Sequence, residues 1–377
     1  MKQDTTRSTD RRTFLSRLAA GCAGAAASSS LAGCGTLVGE TESPEGDETP
    51  EGTQRSERRG NQSPGVGIYL GNDRTLKAWE NWFGRTVDYY SVALFRNSWD
   101  DYWVENWPLK IDLQSVFADR HPIITFSMFP DGAELEQVAA GEFAGKYRRL
   151  ARELVDNGLA DAHLRFGAEF NGNWSPGTAV SRPELFVEAW KGIVRPMRSV
   201  SGAAFTFVWA PDIWKRQLAA PKAYPGDEWV DEVGLTFYDK GDCYPYPEQC
   251  DDGCRRRHRE CTWERLLEGR DANFGLNFWA DFAREHDKTL VFPEYGVMAQ
   301  SWSTPGGGDN PQFFRNFDSW MTENEDVVGW HNTWSWTSGP SYVGPARGHT
   351  STEYPLFRDA SAAFRRLFGN PDAGSSS

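Results

Sequence analysis

The alternation of two kinds of segment constrains this chain more than any other feature of its sequence. Eight short apolar runs, each bounded by turn residues, have the composition of buried strands: 66–71, 89–95, 122–126, 162–167, 204–209, 232–238, 289–294 and 327–334. Segments with helical periodicity lie between and after them, among these 142–157, 183–198, 263–285, 312–322 and 356–368. Alternating strands and helices indicate a parallel sheet, and eight repeats predict a closed (β/α)8 barrel as one α/β domain over residues 64–370.

A doubly wound open sheet is the structural alternative, because it also alternates strands with helices. Such folds commonly bind phosphate groups at a glycine-rich loop that follows a strand. No loop of that kind follows any of the eight runs. The barrel is therefore the favoured architecture.

Charge and aromatic content narrow the classes of ligand. The 377 residues include 53 acidic against 40 basic side chains, a formal net charge of -13, which argues against a nucleic-acid partner. The chain also contains 17 Trp residues, a surplus that suits a cleft in which flat ligands stack. No cofactor and no metal are expected, and we expect a monomer.

The N-terminal segment has the pattern of an export signal. Arg11 and Arg12 precede a weakly apolar, Ala- and Gly-rich stretch, and residues 31–34 read Leu-Ala-Gly-Cys. This resembles a twin-arginine signal with lipoprotein processing, so we expect residues 1–33 to be removed and Cys34 to be lipidated. An uncleaved anchor helix or a coincidental Cys are the alternatives. The prediction is an extracellular protein whose contact with the cell membrane is the lipid anchor.

Two further segments have little to bury. Residues 34–63 are rich in Thr, Glu, Gly, Pro and Ser, and are predicted to be a disordered acidic tether. Residues 371–377 are predicted to be a disordered tail.

Two glutamates are expected at the carboxyl ends of barrel strands, where (β/α)8 enzymes have their active sites. Glu169 follows the fourth run in line with Arg165, and Glu294 ends the seventh run directly after Pro293. Paired carboxylates are what glycoside hydrolysis requires, one as a proton donor and one as a nucleophile or base. A glutamate at a strand end can equally form an ion pair or cap a helix, so the pattern alone leaves both interpretations open.

Several motifs resemble glycoside hydrolase family 26. Residues 165–174, Arg-Phe-Gly-Ala-Glu-Phe-Asn-Gly-Asn-Trp, are similar to the fourth-strand signature of that family, Arg-Pro-x-His-Glu-x-Asn-Gly-x-Trp. Residues 207–211, 232–239, 292–296 and 329–336 resemble the ends of its fifth to eighth strands. The likeness extends over about residues 65–369. It implies a (β/α)8 barrel and a retaining hydrolase of β-linked mannan, or less often of mixed-linkage glucan or xylan.

The resemblance also implies roles for individual residues. Glu169 would be the acid/base and Glu294 the nucleophile, and Tyr238 would support the nucleophile. The residues expected to bind substrate are Arg165, Asn171, Trp174, Trp209, Tyr238, Trp334 and Trp336. Trp334 and Trp336 share a face at the end of the eighth run, where a sugar-stacking platform is expected, and the sequence does not choose between them.

The chain departs from the family pattern beside the acid/base. Ala168 replaces the family histidine, Phe166 replaces proline, and Ser175 stands where another Trp is expected. Because that histidine contacts the site in the family, its loss bears on substrate identity and rate. Neither carboxylate is removed by it.

Four cysteines cluster after the sixth run, at Cys243, Cys250, Cys254 and Cys261. An even number of clustered Cys in an exported domain favours two disulfides, with three possible connectivities. A structural zinc is the rival interpretation, but the spacing lacks paired C-x2-C motifs. The arginine-rich run 255–259 is interpreted as a solvated basic face, and His163 and His331 as structural.

The sequence as a whole predicts a glycoside hydrolase acting on a β-linked polysaccharide, foremost an endo-β-1,4-mannanase. A β-glucanase or β-xylanase of the same fold is the alternative within that class. A carbohydrate-binding protein on a degenerate barrel is the alternative outside it. If Glu169 and Glu294 are the catalytic pair of a retaining enzyme, their carboxyl groups should lie about 5–5.5 Å apart.

Overall fold

The computed structural model describes residues 63–71, 75–94, 97–108, 112–214, 216–269 and 274–370. The expected signal segment, the lipidation site Cys34, all but the last residue of the tether and the C-terminal tail lie outside the described residues. Among the helices that are described, none combines the length and the apolar character needed to cross a bilayer.

Eight parallel strands close into a barrel in the order of the sequence. They are β1 (Gly65–Tyr69), β2 (Tyr89–Leu94), β3 (His121–Phe126), β4 (His163–Phe166), β5 (Thr206–Trp209), β6 (Glu232–Asp239), β7 (Thr289–Val297) and β8 (Val328–Trp334). Pairing of β1 with β8 closes the sheet. The predicted (β/α)8 architecture is confirmed, and the open sheet is excluded.

Helices lie between consecutive strands and after the last one, except that between β5 and β6 the helical element described is a short 3-10 turn, Ala220–Ala223. Within the described residues the α-helices are α1 (Leu76–Phe83), α2 (Leu113–Phe117), α3 (Leu135–Ala139), α4 (Ala144–Asp156), α5 (Pro183–Arg198), α6 (Asp252–Glu268), α7 (Leu276–Glu285), α8 (Pro311–Glu323) and α9 (Arg358–Phe368). The buried residues of α5 include Phe186, Ala189, Trp190 and Ile193, which recur at helical spacing. That spacing is why the bounds of this helix agree with the sequence prediction.

Two expected elements differ from the structure. β7 does not end at Glu294 but continues to Val297, because the register shifts around Phe292 and absorbs the proline that follows it. The helix expected over 263–285 is two helices, α6 and α7, and α6 begins at Asp252 inside the cysteine segment. The side chain of Asp251 caps α6 by accepting a hydrogen bond from the Cys254 amide.

The barrel has an inner and an outer apolar layer. Alternation along β5 sends Val208 inward, where it packs with Ala210, Val291 and Trp330, and sends Trp209 outward against the helices. Polar side chains occur at both ends of the barrel interior: His163 pairs with Glu232 at the amino ends of β4 and β6, and Arg165 pairs with Glu294 nearer the carboxyl ends of β4 and β7. The second pair lies at the mouth of the barrel, where (β/α)8 enzymes have their active sites.

Candidate active site

Glu169 lies in a tight turn that follows β4. The strand ends at Phe166, and both Gly167 (φ 58°) and Glu169 (φ 57°) have left-handed backbone conformations. Such a conformation is uncommon for a glutamate and costs free energy. The turn is anchored on both sides, because the Gly167 amide donates to the Phe126 carbonyl and the Glu169 amide donates to the Ala210 carbonyl.

Trp174 folds back over this turn and contacts the carboxyl group of Glu169. Its indole Nε1 donates to Glu169 Oε2 over 2.9 Å. A Cβ atom at Gly172 would lie only 1.9 Å from the Trp174 ring, so a glycine is needed at that position. The Asn-Gly-x-Trp motif thus has a physical reason: glycine makes room for the indole that holds the carboxyl group.

Glu294 lies within β7 and has a partner for each carboxylate oxygen. Tyr238 Oη donates to Oε1 over 2.8 Å, so the expected contact between these residues is present. Arg165 Nη1 donates to Oε2 over 2.7 Å, and its other terminal nitrogen contacts Thr236. The Arg165 side chain has no exposed surface, whereas the Glu294 side chain keeps 16%. Glu294 is therefore oriented from below and open toward the mouth.

The two glutamates interact electrostatically. Burial, followed by the charges of Glu294 and Asp212, raises the pKa of Glu169 to about 7. Lys240 and Arg165 oppose this effect but do not outweigh it. Glu169 can therefore hold a proton near neutral pH, as a general acid must.

Three of the side chains expected to contact substrate are fully buried among protein groups. Arg165 contacts Glu294 and Thr236. Asn171 is completely buried and fixes the segment after β5, donating to the carbonyls of Asp212 and Trp214.

Trp209 is the third of them. It faces the helix layer, stacks against Phe282, and donates from Nε1 to the Ala223 carbonyl. The strand alternation that carries Val208 inward is the reason. The substrate contacts expected of Trp174, Tyr238, Trp334 and Trp336 stay predictions.

Aromatic side chains line one side of the mouth. Trp334 stacks on Tyr69 with ring centroids 3.7 Å apart, and both pack beside Tyr238. Trp302 and Trp336 are partly buried against the same cluster. We call Tyr69, Trp302, Trp334 and Trp336 the aromatic wall. Apolar ring faces at this position suit the C–H surfaces of a pyranose.

Three charged residues near the glutamates were missed by the sequence analysis. Asp212 follows β5 and accepts a hydrogen bond from Arg216 over 2.8 Å. The Arg216 guanidinium lies 5.9 Å from the Trp174 ring centroid, and Lys240 Nζ lies 5.1 Å from that of Tyr238. Asp212 directly follows residues 207–211, whose sequence resembles a strand end of the family. Examining the few residues after each such motif would therefore have identified it.

The cysteines form two pairs, Cys243–Cys261 and Cys250–Cys254, which supports the disulfide interpretation and selects one connectivity. The first pair joins the segment after β6 to α6, and the second closes a short ring at the start of α6. The arginine run is not entirely solvated as expected, because Arg259 donates to Tyr246 Oη and to the Asp309 carbonyl.

One cluster has donor atoms close enough for a metal ion. The Cys250 and Cys254 sulfurs and a His258 ring nitrogen lie within 4.8 Å of one another. The two sulfurs are paired with each other, and His258 Nδ1 contacts the Cys243 carbonyl. In this arrangement Cys250, Cys254 and His258 form structural contacts within the protein.

The two histidines have partners inside the fold. His163 Nδ1 lies 2.9 Å from Glu232 Oε2, and His331 Nδ1 lies 2.8 Å from Tyr295 Oη. Burial lowers the pKa of His331 to about 3, so this ring is neutral. These contacts agree with structural roles.

Comparison with known proteins identifies the region that carries Glu169. Residues 149–251 match the model of Glycosyl hydrolase family 26. Over this segment the chain is similar to that family. The matched segment begins in α4 and includes β4, β5 and β6, with Trp174, Asp212 and Tyr238; Glu294 lies beyond it.

Two curated relatives are β-1,3-xylanases. One, from a Vibrio species, is 22% identical over 309 residues, which cover 70% of this chain and 58% of that protein. The other, from an Alcaligenes species, is 20% identical over 266 residues, covering 63% and 49%. The chain thus spans about half the length of the curated relatives that it matches.

Solved structures share the fold. GH26C from a Muricauda species superposes with a TM-score of 0.55 at 18% identity, covering 81% of this chain and 86% of that one. A modular endo-β-1,4-mannanase from Cellulomonas fimi gives a TM-score of 0.53 at 17% identity, covering 81% and 71%. At these identities the likeness concerns the barrel alone.

Proposed function

We propose that the protein is a retaining glycoside hydrolase that cleaves a β-linked polysaccharide, with Glu169 as acid/base and Glu294 as nucleophile. The observation that carries the proposal is that two interacting carboxyl groups at the barrel mouth have contrasting environments. Burial raises the pKa of Glu169 to about 7, so this group is protonated below that pH. Glu294 accepts hydrogen bonds from Tyr238 and Arg165. Such contrasting environments mark an acid and a nucleophile.

The geometry supports two chemical steps. In the first, a Glu294 oxygen attacks the anomeric carbon while Glu169 gives its proton to the departing glycosidic oxygen, so that a glycosyl ester forms as the bond to the leaving sugar breaks. In the second, Glu169 takes a proton from water, which attacks the same carbon and releases Glu294. Tyr238 and Arg165 hold the carboxylate in place, and the aromatic wall supports the sugar ring.

The substrate backbone that we propose first is β-1,4-linked mannan, on the strength of the motif resemblance. β-1,3-Xylan is the second candidate, because both curated relatives carry that activity in their names. A panel of galactomannan, β-1,3-xylan, β-1,4-xylan and mixed-linkage glucan, assayed by release of reducing ends, distinguishes the candidates. A binding protein without activity would release none from any of them.

Substitution of each carboxylate separates the two roles. Glu294→Ala should reduce turnover of every substrate by more than about 10³-fold, since no nucleophile remains. Glu169→Ala should reduce hydrolysis of the natural polysaccharide by about 10²–10⁴-fold but spare the first step on aryl glycosides, whose leaving groups need no proton. The measurement is kcat/KM on both substrate types.

Equal losses on natural and activated substrates in the Glu169 variant would contradict the acid/base assignment. The exposed Glu285→Gln is a control for loss of a carboxylate elsewhere on the barrel and should retain wild-type kinetics. A crystal structure tests the stereochemical claim: a carboxyl separation in the inverting range, about 6.5–9.5 Å, would overturn the retaining mechanism.

We also propose that the enzyme acts outside the cell, exported by the twin-arginine route and anchored through Cys34. The order of the paired arginines, the weakly apolar stretch and the Leu-Ala-Gly-Cys sequence supports this proposal. Export also fits the proposed substrate, because a polysaccharide too large to enter a cell is cleaved outside it.

A further inference from the structure

Lys240 brings an unmatched positive charge to the barrel mouth. It follows β6 directly, and alternation along the strand places it on the same side as Tyr238. Among the residues that the structure describes, its ammonium group forms neither a hydrogen bond nor an ion pair; its contact is with the Tyr238 ring, 5.1 Å from the centroid. Lys240 nevertheless lies within electrostatic range of Glu169, Glu294 and Asp212.

The neighbouring charges are already matched to one another. Arg165 pairs with Glu294 over 2.7 Å, and Arg216 pairs with Asp212 over 2.8 Å. Asp239, although adjacent in sequence, faces the other side of the strand and accepts hydrogen bonds from Tyr244 and Asn310.

The excess of positive charge persists through the proposed reaction. Before the first step Glu169 is neutral and Glu294 is ionised; in the glycosyl ester Glu169 is ionised and Glu294 is neutral. In both states three cationic groups face two carboxylates, one of which is always Asp212. The cations are Arg165, Arg216 and Lys240.

The surroundings of Lys240 disfavour its charged form. Burial and the nearby Arg216 lower the pKa of the ammonium group, while the carboxylates raise it without cancelling the effect. A protein with a net charge of -13 has no shortage of acidic side chains that could have neutralised this lysine. A partly buried cation that has neither a hydrogen-bonded nor an ion-paired partner among the described residues leaves a place for an anion that a ligand supplies.

We propose that the site is built for a polysaccharide whose sugars carry an anionic group, a carboxylate or a sulfate ester, and that Lys240 recognises this group beside the catalytic pair. The inference rests on the proposed hydrolase function and specifies its substrate class. The anionic group would pair with the ammonium while Glu169 keeps its proton. A neutral sugar leaves the excess charge in place.

The test compares one backbone in three forms: neutral, lightly carboxylated and lightly sulfated, at matched chain length and constant ionic strength. For the wild type, kcat/KM on one charged form should exceed that on the neutral form by about tenfold or more. Lys240→Gln should reduce this ratio to near one, and Lys240→Arg should retain most of it. The exposed Lys222→Gln is the matched control and should leave the ratio unchanged. The preferred arm identifies the anion as carboxylate or sulfate.

A second readout is the alkaline limb of the pH profile. A substrate anion near Glu169 disfavours ionisation of that carboxyl group, so the limb should lie at higher pH with the charged substrate than with the neutral one. The groups that act on Glu169 and must be considered together are Glu294, Asp212, Lys240 and Arg165. The displacement should shrink in Lys240→Gln.

The outcomes separate this inference from the proposed function. Rapid hydrolysis of the neutral form, with a ratio near one that Lys240→Gln does not change, would overturn the anionic-substrate inference and leave the hydrolase intact. Failure to hydrolyse any form would refute the proposed function. In that case, calorimetry of the binding of the same three forms tests the anionic-substrate inference by itself. Preferential binding of a charged form that is lost in Lys240→Gln supports the inference. Equal affinities for the charged and neutral forms overturn it.

Discussion

At the residue scale, the site depends on side chains that never meet solvent. Arg165 and Asn171 have no exposed surface, yet one orients Glu294 and the other fixes the segment that carries Asp212. Buried polar groups are costly unless they are hydrogen-bonded, and here Arg165 donates to the Glu294 side chain while Asn171 donates to main-chain carbonyls of the segment after β5. Such residues can match a family motif without contacting substrate.

The raised pKa of Glu169 predicts a pH-dependent contribution to stability. The folded state binds this proton more tightly than the unfolded chain does, because the pKa rises from 4.5 to about 7. Stability should therefore fall as pH rises through this window. Glu169→Gln removes the effect, so the Tm of the variant minus that of the wild type should be larger at pH 8 than at pH 4, by on the order of 2 °C or more.

Scanning calorimetry at both pH values is the measurement. The exposed Glu285→Gln should show the same Tm difference at either pH. A Tm difference for Glu169→Gln that is independent of pH would mean that burial does not hold the proton on this carboxyl group.

At the element scale, the strands were predictable because their apolar runs are short and bounded by turn residues, and every one of the eight lies within a few residues of its observed position. The turn after β4 was not predictable in detail, since strand alternation gives no signal of the left-handed residues at 167 and 169. The break between α6 and α7 was likewise missed, although Gly269, which ends α6 with a φ of 88°, and Gly275, which precedes α7, were signals in the sequence.

The side-chain direction at β5 shows a different limit. Trp209 ends a strand whose sequence resembles the fifth-strand end of the family. A shift of one residue along a strand reverses the side-chain direction, and thus determines whether the indole faces the cleft or the helices. The sequence alone does not specify which alternate positions of this strand face the barrel interior. Lys240 was missed because a lysine that follows a strand is ordinarily exposed to solvent, so its sequence position gives no indication of a place in the site.

The disulfide between Cys243 and Cys261 should shape the cleft more than it stabilises the fold. Its partners are 18 residues apart, a ring whose closure contributes on the order of 3 kcal/mol or less, while the barrel core is far larger. Cys243 lies three residues after Lys240. The double variant Cys243→Ser with Cys261→Ser should therefore raise KM several-fold with only a modest change in Tm.

Steady-state kinetics and thermal unfolding measure the two effects. Cys250→Ser with Cys254→Ser, which opens a ring of separation 4, is the matched control and should change both less. Four free thiols in the wild-type protein, or unfolding by a chelator with release of zinc, would contradict the disulfide interpretation.

At the scale of the whole molecule, charge is unevenly distributed. The chain carries a net charge of -13, whereas the mouth of the barrel holds more cations than ionised carboxylates during the proposed reaction. A polyanionic substrate would be repelled at long range and attracted only at the mouth. Salt screens the long-range repulsion far more than it screens an enclosed contact.

The proposed export and lipid anchoring depend on Cys34 and on the paired arginines Arg11 and Arg12. Cys34→Ser removes the residue expected to carry the lipid, so the protein should move from the membrane fraction to the medium while its specific activity is unchanged. Cell fractionation followed by immunoblotting measures the distribution. Replacement of Arg11 and Arg12 by Lys is the companion variant and should retain the protein inside the cell; membrane association that survives Cys34→Ser would refute the lipid anchor.

The left-handed conformation of Glu169 also has an evolutionary consequence. Glycine and asparagine adopt that backbone more readily than glutamate does, so the position is held against its own conformational preference. In a related protein that is no longer selected for catalysis, mutation would therefore replace the residue at position 169 early. Sister sequences with Gly or Asn at this position would thus be expected to have kept the barrel and given up the reaction.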